Sequence, residues 1–116
     1  MLQISTTTFG RIAIVEEAKF IDRLIAFLKE FVPGMRGDPP EAMRVTIRDL
    51  MQQARSFNMV SEAGVAAYVL TASHLGLDFS ERFAGARKIL FMDIDEKDKA
   101  DLLQGFTISL LKVLEG

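Results

Sequence analysis

Glycine and proline punctuate this chain at intervals that leave only helix-sized pieces between them, and that spacing constrains the fold more than any other feature. The first piece runs from about Thr8 to Val32 and stops at Pro33-Gly34. Within it Phe20, Leu24, Phe27 and Phe31 form one stripe, with Ile21, Ile25, Leu28 and Val32 beside it. Such i, i+4, i+7 spacing makes a wide apolar helical face, and Lys19, Asp22, Arg23, Lys29 and Glu30 take the polar positions. Gly10 weakens the start by about 1 kcal/mol relative to Ala, so residues 1–7 are expected to be extended or frayed.

Pro33 to Pro40 reads as a loop, because two Gly and three Pro cannot propagate a helix. Asp38 is placed to cap the next helix, with Pro39 at its first position and Glu41 at its third, a capping box. That helix carries Met43, Ile47, Leu50, Met51, Ala54 and Phe57 on one face. Asn58, which tolerates positive φ, terminates it. Ser61 caps a third helix, from Glu62 to about His74, which Gly76 closes. Its Val65, Ala66, Ala67, Val69, Leu70 and Ala72 leave almost no polar side, as a buried central helix requires. A fourth helix begins near Ser80 with Phe83, Ala86, Ile89 and Leu90. Asp95 opens a fifth, whose apolar stripe is Leu103, Phe106, Leu110 and Leu114. No segment alternates with period two. The expectation is an all-α fold, a compact bundle of about five helices forming a single helical domain over residues 1–116.

Composition removes several function classes. The chain has 116 residues, 49% of them hydrophobic, which suffices for a core and excludes a disordered chain. It has no cysteine, hence no disulfide framework, thiolate metal site or cysteine nucleophile. The net charge is -2, and the halves differ little (+1 for residues 1–58, -3 for the rest), which gives no reason to expect nucleic acid or an anionic membrane. The start lacks a basic segment followed by an apolar one, and no run approaches the roughly 20 apolar residues that span a bilayer. A cytoplasmic location is expected.

The chemical candidates reduce to ordinary helix features. His74 is the sole histidine and follows Ser73. Successive residues on a helix point about 100° apart, so the two cannot form a nucleophile–base pair. A polar residue in the last helical turn, interacting with free carbonyls, explains His74 better. The acidic run Asp93-Ile94-Asp95-Glu96-Lys97-Asp98 is no calcium loop: Asp98 stands where the sixth-position glycine belongs and Gln104 where the twelfth-position glutamate belongs. Helix capping accounts for those acids. Arg36-Gly37-Asp38 matches an adhesion tripeptide too short to carry weight. Arg44, Arg48 and Arg55 recur at helical spacing and read as the solvent face of an amphipathic helix. No metal or cofactor is expected, and no enzyme. Met35, Met43, Met51, Met59 and Met92, together with the double stripe of the first helix, suggest apolar surface left over for a partner.

The pattern also resembles a family of small helical bacterial proteins encoded beside type VI secretion spike, PAAR-tip and effector genes. The residues concerned are Phe20-Ile21-Asp22-Arg23-Leu24, Leu28, Pro33, Ile47-Arg48, the run from Ala54 to Glu62, Val65, Tyr68-Val69 and Leu75-Gly76-Leu77-Asp78-Phe79. They cover about residue 9 to residue 91. After Phe79, where relatives often have an Asp-Pro turn and then a Trp, this chain has Ser80-Glu81-Arg82-Phe83. The resemblance implies a non-enzymatic co-chaperone or adaptor that binds a larger effector chaperone, a PAAR-containing effector, or both, and helps load the effector onto the secretion spike. The alternative is an immunity protein that neutralises a neighbouring toxin. A homodimer is expected in either case. From the residue types that protein interfaces favour, the candidate contact residues are Phe27, Phe31, Arg44, Arg48, Phe57 and Tyr68.

Overall fold

A computed structural model describes the backbone of residues 5–115 and the side chains of residues 17–32 and 34–114. The fold is all-α: six helices, α1 (Ser5–Phe31), α2 (Pro40–Ser56), α3 (Glu62–Leu75), α4 (Phe79–Arg82), α5 (Ala84–Leu90) and α6 (Glu96–Glu115), with one 3-10 turn at Pro33–Met35. No strand occurs among the described residues, and no helix among them is long and apolar enough to cross a membrane. The chain divides into two compact units, the first ending at Arg44 and the second beginning at Val45, so that the division falls within α2.

In the first unit α1 starts at Ser5 rather than near Thr8. A single glycine costs only about 1 kcal/mol in a helix interior, and propagation past it is cooperative, so Gly10 does not end the helix. Residues 1–4 lie outside the described part. The first of the two stripes of α1 splits along its length. Phe20, Ile21, Leu24, Ile25 and Leu28 are buried, whereas Phe27 and Phe31 are exposed. After the 3-10 turn the loop is held by Lys29, whose Nζ donates to the carbonyls of Arg36 (3.3 Å) and Asp38 (2.7 Å). Helix α2 begins one residue later than expected. Pro39 supplies its carbonyl to Met43 N–H (3.1 Å) but stays outside the helix, and Pro40 is the first helical residue. The reason is steric, since a residue preceding proline is pushed out of the α region and Pro39 precedes Pro40. Glu41 is thereby moved to the second helical position, and the expected capping-box register is lost.

In the second unit the turn chemistry follows the sequence closely. Asn58 sits at φ 64. Met59 N–H bonds Ala54 O at 2.9 Å while Asn58 N–H bonds Arg55 O at 3.0 Å, the paired closure of a Schellman motif. Ser61 Oγ accepts from Gly64 N–H at 3.0 Å, and Gly76 ends α3 at φ 111. Helix α3 is central, with Val65, Ala67, Tyr68, Val69, Ala72 and Leu75 all buried. It lies beside α6 in the same direction: Ser61 meets Glu96 at their starts, and Leu70 to His74 accompany Gln104 to Leu111 further along.

Two expectations fail here. The single fourth helix is two short ones, broken where Phe83 adopts extended geometry (φ -112, ψ 106) and sets its ring edge-on to Phe106 at 6.4 Å. On α6 the buried residues are Lys99, Ala100, Leu103 and Thr107, not the Leu103–Phe106–Leu110–Leu114 stripe, and Leu114 is 69% exposed. A lysine and a threonine occupy the buried face because each has its polar group satisfied there. Thr107 Oγ1 donates to Leu103 O (2.8 Å), and Lys99 Nζ to Phe57 O (2.8 Å).

Candidate interaction surfaces

The residues singled out from sequence lie in different environments. Phe27 and Phe31 form an exposed aromatic pair on α1, one turn apart, with ring centroids at 4.6 Å. Arg44 is engaged within the first unit: its Nη2 and Nε reach Asp22 Oδ1 at 2.9 and 3.3 Å. Both partners are well exposed, so this pair contributes at most about 1 kcal/mol. Arg48 is exposed on α2, and Phe57 is half-buried. Tyr68, expected at an interface, is a core residue at 0% exposure. Its ring lies between Phe57 (6.1 Å) and Phe79 (4.9 Å), and its hydroxyl donates to Gln53 Oε1 at 2.9 Å. Burial pushes the phenol above its ordinary value, the Ser80 side chain counters by hydrogen bonding, and the Glu81 charge adds to the rise. The methionine surface is corrected likewise. Met43, Met51 and Met59 are in the core, Met35 is half-buried, and Met92 is the exposed one of the five.

Ser73 and His74 show no relation to each other. Ser73 Oγ donates to Val69 O, and His74 Nδ1 donates to Leu70 O at 3.0 Å, each turning back onto its own helix. Among the described residues no three His, Cys, Asp or Glu side chains converge as a metal site would require. A shallow polar hollow over Tyr68, lined by Gln53, Ser56, Phe57, Leu77, Asp78, Ser80 and Glu81, brings no histidine or lysine to its two carboxylates.

Among the described residues, a groove of about 230 Å³ lies between α3 and α6. Leu70, Thr71 and His74 line one wall, and Gln104, Thr107, Ile108 and Leu111 the other. Thr71 Oγ1 donates to Ala67 O, as Thr107 Oγ1 does to Leu103 O, so both hydroxyls on the floor are satisfied within their own helices. The lining is mainly apolar, with the polar ends of His74 and Gln104 at its exposed rim, Ile108 exposed, and Leu114 uncovered further along α6. Sequence reading placed none of these residues at a surface. The available signal was that Ile108 and Leu111 fall beside the assigned stripe of α6, and helical periodicity alone does not say which neighbouring stripe is covered.

A polar clamp ties the same two helices together at their other end. Glu96, in the first turn of α6, accepts hydrogen bonds from Val60 N–H (3.1 Å), Ser61 N–H (2.8 Å) and Ser61 Oγ–H. Ser61 is the residue that caps α3 and Val60 the one before it, so the carboxylate sits at the N-terminus of that helix. One turn later Lys99, buried to 3% exposure, donates to Phe57 O at the end of α2. Thus one turn of α6 places an anion at a helix N-terminus and a cation at a helix C-terminus, the favourable sign at each. Partial burial raises the Glu96 pKa, but the bonds from Ser61 and Val60 and the nearby Lys99 charge outweigh it, leaving the carboxyl below its ordinary value of 4.5. Because the folded value is the lower one, the stabilisation is complete above 4.5 and is lost as pH falls through the folded value. Glu96→Gln should therefore melt at lower temperature than wild type at pH 7, with the gap narrowing as pH falls below 4.5; a gap that widens on acidification would contradict the clamp.

No known protein family, curated protein or solved structure matches the chain.

Proposed function

We propose that this chain is a non-enzymatic adaptor that docks on another protein through the groove between α3 and α6. The observation that carries this reading is the groove itself: a largely apolar trough along two parallel helices, with both threonine hydroxyls on its floor bonded within their own helices and His74 Nδ1 turned to a backbone carbonyl. Such a trough suits the apolar face of a partner helix, read through large side chains one turn apart. The partner we assign is the larger chaperone of a PAAR-tipped effector, in the bacterial cytoplasm, with the chain helping to load that effector onto the type VI secretion spike. The sequence resemblance supports that identity, and the groove supports the mode of contact.

The test is co-expression with the chaperone encoded beside it. The tagged wild-type chain should retain the chaperone, while Ile108→Glu, at a position 55% exposed, should fold normally and lose it by about tenfold or more. Failure to form a complex at about 10 μM would remove the reading. Protection of cells from the toxin alone, without the chaperone, would replace it with the immunity role.

A further inference from the structure

A second surface, away from the groove, carries both signs of charge in an order that suits its own copy. The loop from α5 to α6 displays Phe91 (64% exposed), Met92 and Ile94, and Val60 of the α2–α3 turn is also exposed. Phe91 stands edge-on to Phe57 with centroids at 5.4 Å, and the Arg87 guanidinium covers its ring at 5.1 Å. These side chains are not on a loose loop. Lys99 fixes the Phe57 carbonyl, and Glu96, two residues after Ile94, fixes the Val60 and Ser61 amides. An ordered apolar patch of this kind associates without the entropy cost of first being immobilised.

The charges flanking the patch name its occupant. Arg87 and Lys88 precede Phe91, and Asp93 and Asp95 follow it, all four exposed. Reversed, the segment reads acid, apolar, base, so two copies related by a two-fold axis near Phe91 bring the basic end of each against the acidic end of the other. That is the condition for an isologous interface. An acidic partner would meet repulsion at Asp93 and Asp95, and a basic one at Arg87 and Lys88. We infer that this face binds a second copy of the chain, with Phe91 meeting Phe91 at the axis and Arg87 facing the acidic pair across it. The inference does not rest on the chaperone assignment, since it uses none of the groove residues.

The experiment is sedimentation of the purified full chain, with helicity by circular dichroism recorded for every variant. Wild type should approach twice its 12.9 kDa mass by about 100 μM and dissociate as salt rises from about 0.05 to 0.5 M. Arg87→Glu and Asp93→Arg should each weaken self-association about tenfold. The double swap Arg87→Glu/Asp93→Arg restores the complementary order and should recover most of the affinity. A wild type that stays monomeric overturns the inference. So does a dimer that the single swaps leave unchanged, or one that the double swap fails to restore. If a single swap loses helicity, salt dependence and the double swap decide the matter.

Discussion

Tyr68→Ala should lower the unfolding free energy by about 3–5 kcal/mol, the range for truncating a fully enclosed aromatic ring. The ring has no exposed surface and touches Phe57 on one side and Phe79 on the other, so its removal leaves a cavity those neighbours cannot close without leaving their rotamers. For a chain of this length the thermal midpoint falls by roughly 10–20 °C. Tyr68→Phe keeps the ring and loses the hydroxyl's bonds to Gln53 and Ser80, which costs about 1–2 kcal/mol. A Tyr68→Ala protein that melts with wild type but fails to bind a partner would return Tyr68 to the surface role its residue type suggests.

Gly64→Ala is the second large effect, and it acts through a side chain on another helix. A Cβ at Gly64 would lie 2.7 Å from Glu96 Cδ and closer still to Oε2. The carboxylate is held by three donors and cannot turn aside without losing them. The loss of those bonds costs about 2–3 kcal/mol, against which alanine returns about 1 kcal/mol of helix propensity. The net fall is about 1–2 kcal/mol. In a Glu96→Ala background the obstacle is gone, and the same substitution should become neutral or stabilising. That reversal of sign in a double-mutant cycle separates the clamp from a general intolerance of side chains at Gly64.

The residues that were legible in sequence are those whose role is decided within a few positions of the chain. Asn58, Ser61 and Gly76 end or begin helices because of their own backbone preferences and hydroxyl chemistry, and each does so in the structure. The central position of α3 was equally readable, since a helix with no polar side has nowhere else to go. What escaped depends on long-range neighbours. Phe83 breaks a helix to reach Phe106, with neither glycine nor proline at the break. Lys99 lies buried because the Phe57 carbonyl, forty-two residues away, accepts from it, and so turns α6 off its most hydrophobic stripe. Glu96 looked like one more acid at a helix start, yet it caps a different helix. The candidate surfaces follow the same rule. Phe27 and Phe31, two of the candidate contact residues, are exposed, Tyr68 and three methionines are in the core, and the groove of Leu70, Ile108 and Leu111 exists only where α3 and α6 lie side by side.

The adaptor role turns on whether that groove is where a partner sits. Amide chemical shifts of the isotope-labelled chain, followed as the proposed partner, an effector chaperone, is added, test this directly. The largest changes should fall on residues 70–74 and 104–111 and vanish in Ile108→Glu. Changes confined to other residues, or none with the chaperone in excess, would contradict the adaptor role.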